Sequence, residues 1–365
     1  MQMKLIFLIL LIVFTSPTVL ADNSFFSDTV NTISESANTE TLDSAASAGF
    51  SFSGTMNSFI DGSHFDIKRF FSSFADIFFK ETKSNVSLAL KLIIVAVCSC
   101  IIQLFTKDTS GYLPDISFYV CYMIIFLFCM SSLDFVSSVC KNAIESMLFF
   151  MQSAIPVLGS VLAGSGKNIT VPSLCFSIAV ICGACNILSQ ILLPLGKMCA
   201  VAGGISGLGV NLNTLSASVK RIVLWALGLL TTVLGIFISM QNFAASASDN
   251  IAIKTAKFTA GSVIPVIGGT VSDTLESVFA CGTLVKNAAG GASVIALLYI
   301  CLSPVLKILA VILAYRFVSV IVSPFSDSRI VTAINGFIDS LYIFLAFVIT
   351  SCILFIICAG IVCKI

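Results

Sequence analysis

Six stretches of this chain are long, apolar and almost free of charge: residues 86–105, 116–139, 171–195, 222–240, 292–322 and 337–362. A run of about twenty such residues, coiled as a helix, crosses the roughly 30 Å of a bilayer's hydrocarbon core. Six of them in one chain leave no way to build a water-soluble surface. The composition agrees, because 58% of the residues are hydrophobic and 10% are charged, against roughly 25% charged in soluble domains. The sequence therefore predicts an all-α polytopic membrane protein. The run 292–322 exceeds one bilayer crossing and contains Pro304, so it is either one long kinked helix or two segments, giving six or seven spans. Nineteen Lys and Arg against 18 Asp and Glu leave a net charge of +1, with no basic face for nucleic acid.

The first 21 residues carry one basic residue, Lys4, an apolar run over 5–14, then Pro17 and Val19-Leu20-Ala21 ahead of Asp22. That run is too short to span, and the small-x-small ending reads as a cleavage site, so 1–21 is expected to be a signal peptide. Residues 22–62, rich in Ser, Thr, Asn and Gly without a hydrophobic period, are expected to be a flexible extracytoplasmic arm. Over 63–85, Phe65, Phe70, Phe74, Ile77 and Phe78 recur at helical spacing among charges. This predicts an amphipathic helix, lying on the outer leaflet or packed on the rest of the protein. The multi-span bundle fills 86–365. With its start outside, the loops near Lys107, Lys220-Arg221 and Arg329 fall in the cytoplasm, and those at 140–170 and 241–291 fall outside. Lysines 141, 167, 254, 257 and 286 would also fall outside, so the positive-inside bias is faint.

Two further stretches are amphipathic. Over 142–163, Ile144, Met147, Leu148, Met151 and Ile155 share a face, with Lys141, Glu145 and Gln152 elsewhere; over 270–288, Val271, Leu275, Val278 and Phe279 oppose Asp273, Glu276 and Lys286. Each is expected to lie in the interface or to re-enter the membrane, sheltered by the bundle. They belong to an internal duplication, with units at about 116–210 and 222–322. Ile155-Pro156-Val157-Leu158-Gly159 recurs as Ile264-Pro265-Val266-Ile267-Gly268, followed by Gly269, and Pro194-x-x-Lys197 recurs at nearly the same spacing as Pro304-x-x-Lys307. Breaks at Pro156–Gly159 and Pro265–Gly269 are the expected consequence. Such repeats occur in transporters, where matched broken helices point to a substrate site, and in any bundle that grew by duplication.

An ionised side chain at mid-bilayer costs roughly 2.5–3.5 kcal/mol on insertion scales, so each one asks for a reason. Asp134 is explained by a helix terminus in the interface. Lys307 lies well inside its apolar run, and a structural pair is expected for it, with a carbonyl freed by Pro304 or with an acid such as Asp339; Lys197 snorkels more easily. Asn186 and Gln190 share one helix face and are expected to hydrogen-bond a neighbouring helix. The small-residue run 202–209 permits close helix approach or an unwound segment. No acid intervenes between Glu145 and Asp249, which argues against a carboxylate-driven ion path. The 14 cysteines fall mostly in apolar stretches and read as small hydrophobes, Cys182-Gly-Ala-Cys185 included. Gly164-Ser-Gly166-Lys167 departs from a phosphate loop at both ends, and His64 is the one histidine. No cofactor, metal site or catalytic group is expected.

Thr255-Ala-Lys257-Phe258, Ile264-Pro265-Val266-Ile267-Gly268-Gly269, Ser272-Asp273, Glu276, Leu284-Val285-Lys286-Asn287-Ala288, Pro304-x-x-Lys307, Tyr315, Pro324 and Asp327-Ser328-Arg329, with Leu224-Trp225-Ala226 upstream, closely resemble the stage III sporulation protein AE family of endospore-forming bacteria. The resemblance covers about 63–362 and leaves the arm unmatched. It implies a subunit of a mother-cell membrane complex with a secretion-type ATPase, small membrane subunits and ring-forming subunits. Across the intermembrane space this complex meets a forespore partner during engulfment, forming a channel needed for late forespore development. It implies no catalytic residue. The alternative reading of the residues is a secondary transporter or permease with a duplicated bundle.

Overall fold

The structure is a computed structural model that describes residues 79, 82–83, 86–87, 89–102, 113–206, 213–263, 268–324 and 327–364. The expected signal peptide, the arm, and nearly all of the amphipathic helix at 63–85 lie outside the described residues. Among the described residues six helices follow in order: α1 Ala89–Ile102, α2 Leu113–Gly164, α3 Thr170–Ser206, α4 Asn213–Val263, α5 Gly268–Val322 and α6 Ser328–Lys364. Among the described residues there is no strand. The last five are each long and apolar enough to cross a membrane, as the apolar runs demand, because a helix pairs its own backbone groups where no water can.

The helices are longer than the runs that predict them. At 52, 51 and 55 residues, α2, α4 and α5 extend about 76–83 Å at 1.5 Å per residue. The amphipathic stretch 142–163 is not a separate interfacial or re-entrant element but the second half of α2, and 270–288 is likewise the first part of α5. Pro156, Pro194 and Pro304 all lie inside continuous helices. The expected break at Pro156–Gly159 is therefore absent. Pro156 is exposed, so its missing N–H and the carbonyl it displaces fall on the outer face, where no packed neighbour has to adjust. Pro265 lies outside the described residues, between the end of α4 and Gly268, which opens α5 with Gly269 next.

Helix α6 packs against all four other long helices and forms the axis of the bundle. Its Phe337, Phe344, Phe347 and Phe355 are among the largest fully buried side chains, and 72% of its most apolar window is covered by protein, against 22% for α4. Around this axis α2, α3, α4 and α5 close a ring in which each contacts the next. Cys182 and Cys185 face the protein interior, in keeping with their reading as small hydrophobes.

Candidate functional site

At one end of the bundle, α2 stops at Gly164 and α3 starts at Thr170. Gly166 takes φ 79°, the left-handed conformation that glycine adopts at low cost. Gly166 N–H donates to Ala163 O at 3.0 Å and Lys167 N–H to Leu162 O at 3.0 Å, the paired bonds of a Schellman motif that satisfy the last carbonyls of α2. The opposite need, orphan N–H groups opening α3, is met from another helix. Asp249 of α4, only 1% exposed, accepts from Ile169 N–H at 2.8 Å, Thr170 N–H at 2.8 Å and Thr170 Oγ1 at 2.6 Å. A carboxylate there also meets the positive end of the α3 dipole.

Lys167 is 7% exposed and donates to Ser246 Oγ at 3.3 Å and to Asn250 Oδ1. Burial pushes its ammonium below the ordinary lysine value, and the Asp249 charge pulls it part of the way back. The seam continues into the bundle. Buried Asn242 donates to Ser177 Oγ at 2.9 Å and to Ile238 O at 2.8 Å, and Ser173 Oγ donates to its Oδ1 at 3.1 Å. Against this turn Gly282 of α5 packs so closely that an added Cβ would lie 2.7 Å from Ser165 Cα and 2.9 Å from Gly164 O. The segment that half-matches a phosphate loop is thus a helix cap, its lysine spent on α4.

At the other end the contacts are of two kinds. Gly203 of α3 and Gly336 of α6 touch backbone to backbone, an added Cβ at Gly203 falling 2.7 Å from Gly336 Cα. Tyr122 of α2 donates to Gly204 O. Ion pairs then link helix to helix: Lys197 of α3 with Asp134 of α2 at 2.7 Å, and Lys220 of α4 with Asp339 of α6 at 2.5 Å. Lys220 and Arg316 both stand over the Tyr342 ring, at 4.8 and 5.8 Å from its centroid. Tyr315 of α5 donates to Ser132 Oγ of α2 at 2.9 Å.

Of the residues singled out in the sequence, Lys197 and Asp134 are brought together as a pair. Asp339 holds Lys220, and Lys307 is half-buried on α5 behind buried Pro304. Gly159 makes no close approach, an added Cβ meeting Val171 at an ordinary 3.5 Å. Asp273 and Glu276 lie on the first turns of α5. Asn186 and Gln190 are exposed. The Asp249–Lys167 cluster was not foreseen; its one sequence signal is that Asp249 ends the long interval without an acid.

Chemically these groups bind one another. Asp249 is an acceptor with three donors already on its two oxygens, and among the described residues no three His, Cys, Asp or Glu side chains converge as metal ligands.

A family model described as stage III sporulation protein AE matches residues 50–365. Over 308 residues the chain is 26% identical to stage III sporulation protein AE of Bacillus subtilis (strain 168), an alignment covering 83% of this chain and 77% of that protein. No solved structure matches.

Proposed function

The chain belongs to the stage III sporulation protein AE family, and on that premise we propose that it is a membrane subunit of a channel-like sporulation complex linking mother cell and forespore during engulfment. Its partners in this reading are a secretion-type ATPase, small membrane subunits, ring-forming subunits and, across the intermembrane space, a forespore protein. Its place is the mother-cell-derived membrane around the forespore, with the N-terminal segment extracytoplasmic. The single observation that carries the reading is the family match over nearly the whole chain. The architecture supports it. A bundle whose axis is filled by α6, and whose polar groups are committed to holding helices together, suits an assembly subunit better than a self-contained pump. No catalytic step is assigned to it.

Deleting the gene and scoring late forespore gene expression tests the proposal. Loss of that expression, restored by the intact gene, is expected. Normal spores from deleted cells would overturn it.

A further inference from the structure

The outer faces of α2 and α4 run at the same depth and have opposite character. Depth is fixed by contacts at both ends. Cys140 of α2 donates to Phe344 O of α6, and Lys220 of α4 meets Asp339 only five residues earlier on that same helix. Higher up, Gly159 of α2 sits against Val171 of α3, and Asp249 of α4 caps Thr170 next to it. With the five residues between Asp339 and Phe344 subtracted, residues 140–159 of α2 run beside roughly 225–249 of α4, and Ser138 stands about level with Ile222.

On α4, Ile222, Trp225, Leu229, Val233, Ile236, Met240 and Phe243 stand exposed at helical spacing, an unbroken run beyond which Ile251 and Phe258 are exposed among smaller and polar residues. From Ile222 to Phe243 the rise is about 32 Å, the thickness of a hydrocarbon core, about 30 Å. On α2 the exposed positions over 138–152 are Ser138, Lys141, Asn142, Glu145, Ser146 and Gln152, with Phe149 the one large apolar among them. Lys141 and Glu145 pair with each other at 3.8 Å, more than half exposed. Ser138 and Ser153 donate to carbonyls of their own helix at 2.7 and 2.9 Å.

Such a face cannot stand against acyl chains at the depth where α4 does. Its polar groups are satisfied within the helix or turned outward, and long side chains at 141, 145 and 152 interrupt any stripe of small residues along which another helix would close in. We infer that the outer face of α2, from Ser138 to Gln152, faces water at membrane depth. Because that face is on the outside of a bundle whose axis is filled, the aqueous passage it borders is built between subunits rather than through one. This rests on the proposed membership of a channel complex, which it deepens by naming the wet surface.

Single cysteines at Asn142, Ser146 and Gln152 on α2, and at Leu229, Val233 and Ile236 on α4, would be reacted in membranes of sporulating cells with a charged, membrane-impermeant maleimide. Labelling is read above that of the unsubstituted chain, with sporulation as the check that each variant folds. The α2 positions are expected to label roughly tenfold faster than the α4 positions, since thiolate formation needs water. Equal labelling of both faces, or α2 positions reached only by a lipid-soluble maleimide or by neither reagent, would overturn the inference. A dry α2 face in cells that still need the chain to sporulate would leave the proposed function standing. A wet face in cells that sporulate without the chain would do the reverse.

Discussion

Two contacts at opposite ends of the bundle hold helices together by different means. Where α2 turns into α3, a buried carboxylate and a buried lysine fasten the turn to α4 through directed hydrogen bonds. Where α3 meets α6, Gly203 and Gly336 touch with no side chain between them. The first arrangement is needed because a helix start carries unpaired N–H groups that lipid or packed protein cannot solvate. The second crossing lies within both helices, where backbone groups are already paired, and contact is limited only by how close two backbones can come. The Asp249 cluster should thus be sensitive to charge and hydrogen bonding, and the Gly203–Gly336 crossing to volume.

The largest effect is expected at Asp249. Asp249→Ala leaves three donors without their acceptor and a buried lysine without its nearby counter-charge, a loss of about 3–5 kcal/mol, read as reduced thermal stability of the detergent-solubilised protein. Asp249→Asn, which keeps the size and one carbonyl, should lose less. If the two variants matched wild type, the carboxylate would not be what holds the turn.

Next in size, Gly203→Ala or Gly336→Ala forces two backbones apart and should cost about 1–3 kcal/mol. Gly183→Ala and Gly228→Ala, where an added Cβ meets nothing within 4 Å, should be neutral or slightly stabilising. Equal behaviour of the two pairs would erase the contrast. Tyr315→Phe removes the bond to Ser132 and should cost about 0.6–1.5 kcal/mol, measured in the same way. Smallest is the exposed pair: Lys197→Ala or Asp134→Ala should change stability by about 0–1 kcal/mol and less at high salt. A large loss there would show that the pair is not half-exposed to solvent.

What the sequence made legible follows from which forces act locally. Apolar runs located the five long helices, because burial in lipid depends on composition over about twenty residues and little else. They did not reveal helix ends. Residues 142–163 look amphipathic because one face is covered, and hydropathy alone cannot say whether lipid headgroups or protein covers it. Here the cover is protein, with Ile144, Met147, Met151 and Leu158 buried in the common core. The two Ile-Pro-Val sequences read as equivalent; the first lies within α2, and the second falls outside the described residues, between Val263 and Gly268. Pro156 leaves its helix unbroken because the groups it frees lie on an exposed face. The small-residue run correctly marked a close approach at Gly203, but not its partner Gly336. Asp249 and Thr170 are distant in sequence and meet only once the bundle is formed.

The proposed function places this bundle inside an assembly. Purifying the tagged chain from sporulating cells in mild detergent, and measuring the mass and composition of the particle, tests it most directly. A particle many times heavier than the 38.7 kDa chain, containing other sporulation subunits, is expected. A monodisperse single chain, recovered from cells that sporulate normally, would contradict it.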